Sequence, residues 1–186
     1  DGRKVMLHLA LGNKESYPNW LEFLRDMVKR GLQTPVLVTT DGAPGLIRAV
    51  EEVFPNSLRQ RCLAHKTRNV TDKVPNGARA EIKNAVRAAY YAPNREVADM
   101  IAAAARKIYQ RDHPAAMRSF QDEWEVCVAY LRCPATHHKM PLRASHTGEI
   151  TMDEVRVPAS ALLPETHGLG SALACLNQAR FSILWG

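Results

Sequence analysis

Long apolar runs are missing from this 186-residue sequence. No stretch approaches the roughly 20 residues that span a bilayer as a helix, so a helical membrane protein is excluded and no membrane partner is expected. Cysteine is sparse: Cys62, Cys127, Cys133 and Cys175 are widely spaced and form no framework. That excludes a disulfide-stapled secreted domain and leads us to expect reduced thiols in the cytoplasm. Repeats and low-complexity tracts are absent too, and the alanine run 102–105 reads simply as helix. The sequence does not begin with methionine, no signal peptide is expected, and it opens inside what reads as a strand (Lys4 to Ala10). A fragment of a longer protein is the expectation.

What is present is ordinary in amount and uneven in placement. Hydrophobic residues make up 46% and charged residues 24%, enough for one good core. Net charge is +6, and all of it lies in residues 1–138, which hold 21 Lys/Arg against 15 Asp/Glu; residues 139–186 balance at four and four. Between Arg59 and Arg87 eight basic residues face only Asp72 and Glu81. Such an excess suits a phosphate backbone, and it equally suits a solvated basic face.

The informative stretch runs from Val36 to Leu46. The β-branched run Val36–Thr40 reads as a buried strand ending on Asp41, followed by a Gly/Pro turn and an apolar helical repeat through Leu46, Ile47, Val50, Val53 and Phe54. At the carboxyl end of a strand, Asp41 stands where α/β sheets hold ligands and metal ions. Capping of the next helix is the competing role. Upstream, residues 3–11 read as a strand. Residues 16–31 read as a helix capped by Ser16 or Asn19, burying Trp20, Leu24, Met27 and Val28 and ending at Gly31. Strand, helix, strand, helix implies an α/β layer architecture.

Leu58 to Val70 reads as a short strand running into a helix, with Cys62 and His65 three apart. Cys-x-x-His is half of a zinc site, but no second pair stands at ligand spacing. The pair serves either as a wall beside Asp41 or as a buried thiol with a hydrogen-bonded histidine. Three helices are then expected, over 78–91, 96–111 and 117–131, the last burying Phe120, Trp124, Val128 and Leu131. Beyond residue 138 the texture changes. Residues 142–157 look β-like, 158–170 a loop, and 173–185 the start of a helix.

Residues 1 to about 138 resemble the mutator-type insertion-sequence transposases. The resemblance is carried by Asn19-Trp20-Leu21 through Arg30-Gly31-Leu32, Asp41-Gly42 with Gly45-Leu46, Val53-Phe54-Pro55, and Gln60-Arg61-Cys62-Leu63-Ala64-His65 with Arg68-Asn69-Val70. Each piece is common alone; order and spacing together carry the likeness. It implies a partial RNase H-like catalytic core over 1–70 and a helical insertion over 71–138. It also implies DNA as partner, oligomers in the intact family, and three carboxylates holding Mg²⁺ ions that activate a nucleophile and stabilise the leaving oxygen. Asp41 matches the second carboxylate. The first would lie upstream of Asp1, and where the third is expected the chain reads Met140-Pro-Leu-Arg-Ala-Ser-His. Strand cleavage by this chain alone is therefore not expected. A DNA-binding groove is expected from Arg59, Arg61, Lys66, Arg68, Lys73, Arg79 and Lys83, with Cys62 and His65 in the active-site wall.

Residues 139–186 resemble a different family, the acyl-CoA dehydrogenases and glutaryl-CoA dehydrogenase above all. The likeness runs through Leu142-Arg-Ala-Ser145, Thr147-Gly-Glu-Ile150, Met152-Asp153, Val157-Pro158, Leu163-Pro164 and Cys175-Leu-Asn177-Gln-Ala-Arg180. It implies the end of a β-rich middle domain and the start of a long helix, with Asn177 and Arg180 at positions near an acyl-CoA. FAD would bind only in a complete dehydrogenase. The sequence thus reads as an α/β transposase core fused to a β-rich dehydrogenase fragment, a truncated and inactive chimera. A flavin-linked enzyme and a partly folded relic are the alternatives.

Overall fold

The computed structural model describes residue 7, residues 16–134 and, for the backbone alone, residues 150–153. The described chain divides into two compact units. Of the described residues, one takes in 16–36 and 43–57 with residues 7 and 150–153, the other 37–42 and 58–134. The expected first strand, the loop after 158 and the closing helix lie outside the described residues, as do Asn177 and Arg180.

In the first unit, α1 (Tyr17–Lys29) packs on α2 (Pro44–Val53). Both start with a proline in the first turn, where its missing N–H costs nothing. Leu24 and Met27 of α1 are buried, as are Leu46, Ala49 and Val50 of α2. Two expectations for α1 are corrected. Val28 is 41% exposed, because position 28 falls past the edge of the stripe set by Leu24 and Met27. Ser16 occupies the cap position, but its side chain makes no capping bond, and Asn19 lies inside the helix rather than at its cap. Gly31 does end the helix, with φ 102, in the left-handed region glycine adopts without steric cost. Arg25 of α1 pairs with Glu52 of α2 at 2.8 Å, and Tyr17 donates to the same carboxylate. Residues 150–153 form a strand, β3 (Ile150–Asp153), inside the span read as β-like.

In the second unit, β1 (Leu37–Thr40) and β2 (Leu58–Arg61) pair in parallel, Leu37 with Leu58 through Thr40 with Arg61. All four residues of β1 are buried, as expected of a parallel strand covered on both faces. Helices α3 (Leu63–Thr71), α4 (Asn76–Tyr90) and α5 (Arg95–Tyr109) follow, close to where the sequence places them. Asn94 caps α5 by accepting from the Val97 amide. Leu63, Val70, Ile82, Val86, Tyr90, Met117 and Phe120 build the core of this unit.

The third expected helix, 117–131, is not one helix. It is α6 (Pro114–Gln121), then a corner at Asp122–Glu123, then a single turn, α7 (Trp124–Cys127), and a 3₁₀ turn over Ala129–Arg132. Glu123 sits at φ 59, left-handed backbone that a non-glycine residue rarely adopts. The cause lies outside the segment. Gln60 of β2 is fully buried; its amide nitrogen donates to the carbonyls of Cys127 and Arg61, and its carbonyl oxygen accepts from the Tyr130 amide. Trp124 stacks on Tyr90 and meets Phe120 edge-on, while its indole N–H donates to Asp99 of α5. Arg95 grips Glu125 with two nitrogens at 2.8 and 2.6 Å. A straight helix could not satisfy these partners together.

Candidate functional site

Asp41 stands immediately after the last residue of β1, half-buried. The N-cap position of α2 is Ala43, two residues further on. The Cys62 amide donates to the Thr40 carbonyl at 2.8 Å, carrying the ladder one residue beyond β2. Through that bond the start of α3 sits beside the end of β1.

Gly42, next to the acid, has φ 100. A β-carbon there would lie 2.1 Å from Arg61 Cζ and 2.2 Å from its Nη1. The guanidinium of Arg61 therefore rests directly against the glycine that follows Asp41. Only glycine allows both the backbone angle and this approach.

Arg61 belongs to a set of cations gathered on one carboxylate. Its Nε donates to Glu123 Oε2 at 3.2 Å. Lys66 Nζ donates to the same oxygen at 3.4 Å, and lies 3.7 Å from Asp122 Oδ2. Arg59 Nη1 is 3.9 Å from Glu123 Oε1. Strand alternation explains Arg59 and Arg61: two apart on β2, they project to the same side. Helical spacing explains Lys66, which shares the inward stripe of α3 with Leu63 and Val70. Arg61 is 7% exposed and Lys66 2%. Charges so buried require a counter-charge, and the left-handed corner delivers Glu123 to them. Burial pushes the Glu123 carboxyl up, but Arg61 and Lys66 more than offset it and hold it below the usual carboxylate value. Even so, Arg61 Nη1 is buried and meets no hydrogen-bond acceptor among the described residues.

The other expected DNA contacts lie elsewhere in the unit. Arg68 and Lys73 are exposed, Lys73 donating to the Asn69 carbonyl at 2.9 Å. Arg79 and Lys83 are exposed and four apart on α4, with Arg87 one further turn along. The seven residues thus form an inner cluster of three and an outer set of four, rather than one uniform groove. Cys62 and His65 do meet, Sγ to Nδ1 at 3.1 Å, with Cys62 fully buried. Cys62, Cys127 and Cys133 are buried thiols outside any disulfide, and burial pushes the Cys127 thiol up to about 11.

Asp41 is the residue the sequence reading assigned to a divalent ion. Among the described residues no group of three or more His, Cys, Asp or Glu side chains could hold a metal. A complete Mg²⁺ site is therefore not assembled by these residues, and no step through a metal is derived from them. Nor is any described helix long and apolar enough to cross a membrane. Glu123 and Gln60 were not singled out as site residues. Gln60 lies inside the motif with Arg61 and Cys62, which is the signal it carried. Glu123 had only its place in an acidic patch, Asp122, Glu123 and Glu125.

Comparison with known proteins adds the lineage. The family model described as "Transposase, Mutator family" matches residues 1–156. The transposase for insertion sequence element IS6120 of Mycolicibacterium smegmatis is 34% identical over 179 residues, 96% of this chain and 54% of that protein. The transposase for insertion sequence element IST2 of Acidithiobacillus ferrooxidans is 32% identical over 157 residues, 84% of this chain and 53% of that protein. A third, for element ISRM5 of Rhizobium meliloti, is 29% identical over 156 residues, 84% of this chain and 39% of that protein. The chain spans about half the length of the first two. The family match continues past residue 138, where the sequence reading placed a change of family, and these comparisons lend the dehydrogenase resemblance no support.

Proposed function

Because the chain belongs to the mutator family of transposases, we propose that it is the part of an insertion-sequence transposase that presents Asp41 to DNA and grips the strand beside it. The observation that supports this reading most is the seat of Arg61, a buried cation pressed against the glycine that follows the strand-end acid. A phosphodiester brought to Asp41 would find Arg61, Arg59 and Lys66 within one cluster. The exposed cations of α3 and α4, Arg68, Lys73, Arg79 and Lys83, extend the positive surface for the flanking backbone.

On this reading Asp41 is one ligand of a divalent-metal site whose remaining carboxylates the described residues do not bring to it. Acting alone, the polypeptide binds DNA without cutting it, since paired-metal cleavage needs several carboxylates. Binding is electrostatic and falls steeply with salt. Anisotropy of a labelled duplex, titrated at several salt concentrations, tests it. Replacing Arg79 and Lys83 together by glutamine is expected to flatten the slope of log affinity on log salt by roughly two, one per lost phosphate contact. Salt-independent binding, or none, overturns the reading.

A further inference from the structure

The carboxylate of Glu123 has an unusual position. It stands on left-handed backbone that costs a non-glycine residue on the order of 1 kcal/mol or more, at the convergence of three cations contributed by β2 and α3. It is also the more accessible member of the cluster: its side chain is 30% exposed, whereas those of Arg61 and Lys66 are 8% and 3% exposed. A second carboxylate, Asp122, reaches Lys66 only at 3.7 Å and from a side chain 75% exposed. And Arg61 retains a buried Nη1 with no acceptor among the described residues.

We propose that Arg61, Lys66 and Arg59 form a phosphate-binding subsite in which Glu123 is the resident counter-ion, holding the place that a phosphodiester group takes. The inference rests on the DNA-binding reading above and deepens it. Two buried cations cannot stand without an anion. One carboxylate supplies two acceptor oxygens; a phosphate supplies more, and can meet the guanidinium with two oxygens at once. The unsatisfied Nη1 marks the hydrogen bond that the carboxylate leaves unmade. Glu123 sits at a corner, between α6 and the single turn of α7, where a small backbone rotation can swing the carboxylate outward while Trp124 and Gln60 hold the turn behind it. The incoming phosphate thus exchanges with an internal anion, and binding is weaker than the cations alone would give. Glu123 is a positioning and gating residue, distinct from the acid at the strand end.

The test uses the full chain and three variants. Glu123→Gly removes the charge and suits the backbone angle; Glu123→Gln removes the charge and keeps the size; Glu123→Asp keeps the charge. Thermal melting is followed against inorganic phosphate at constant ionic strength, and duplex binding by anisotropy. In the Gly and Gln variants phosphate is expected to raise the melting temperature by several degrees more than in the parent chain. Duplex affinity is expected to rise about tenfold, with a salt slope steeper by about one. Glu123→Asp stays close to the parent, and Lys66→Met added to Glu123→Gly cancels the gain. If a charge-removing variant does not fold in low phosphate, phosphate must restore it; failure to fold at every phosphate concentration overturns the proposal. So does a folded variant with unchanged or weaker response to phosphate and duplex. If the parent chain binds no duplex while Glu123→Gly gains stability from phosphate, the subsite stands and the DNA reading falls.

Discussion

Two segments of this chain carry aromatic and apolar residues at helical spacing, and only one becomes a continuous helix. In α1, Trp20, Leu24 and Met27 follow one another along a single rod of 13 residues, with Phe23 edge-on to Trp20. In residues 114–132, Phe120, Trp124 and Val128 also stand at helical spacing, four apart, yet the rod breaks at Glu123. The difference is in the polar partners. The Trp20 indole N–H is buried and meets no acceptor among the described residues, so nothing but apolar packing directs it. The Trp124 indole donates to Asp99, the Cys127 carbonyl and Tyr130 amide are bound by Gln60, and Glu123 is drawn to three cations. Apolar period determines which face turns inward; hydrogen bonds from other elements determine whether the backbone stays straight.

Breaking the corner from β2 should have the largest effect. Gln60→Leu leaves two carbonyls short of a donor and one amide without an acceptor, and should cost about 4 kcal/mol, read as a lower denaturation midpoint. Acid should be the next most telling. The Glu123 carboxyl is held below its unfolded value by Arg61 and Lys66, with Arg59 and Asp122 also facing it. Its contribution is present above the usual carboxylate value and is lost as pH falls through the lower folded value. Stability should therefore fall on acidification below the usual carboxylate value, and fall less in Glu123→Gln, as melting across that range would show. Trp124→Phe removes one indole hydrogen bond and keeps a ring in place; about 1 kcal/mol is expected from the melt. Val28→Thr on the exposed flank of α1 should change stability by no more than about 0.5 kcal/mol. A large loss there would mean that α1 is covered on that flank.

Much of this architecture could be read in advance where the cause is local. Pro18 and Pro44 stand at helix starts, Gly31 marks an end, and the run Leu37–Thr40, β-branched at three of its four positions, reads as a strand. Asp41 could be placed at the strand end for the same reason. What could not be read depends on contacts between residues far apart in the chain. Glu123 reaches Arg61 across 62 positions, and Gln60 reaches Tyr130 across 70. A count of charges finds eight bases between Arg59 and Arg87 but does not say that Arg61 and Lys66 are buried against a carboxylate while Arg68 and Lys73 face water. Val28 was misassigned for a smaller version of the same reason, since a helix stripe has an edge and only the neighbouring helix defines it.

Gly42 ties the residue after Asp41 to Arg61. An alanine methyl at that position would land inside the arginine, 2.1 Å from its central carbon. The guanidinium would have to shift, and it carries the 3.2 Å bond to Glu123 with it, so a single added carbon would be felt at the strand end and at the helix corner. One hydrogen atom, standing where every other amino acid carries carbon, locks three distant stretches of sequence into a common arrangement.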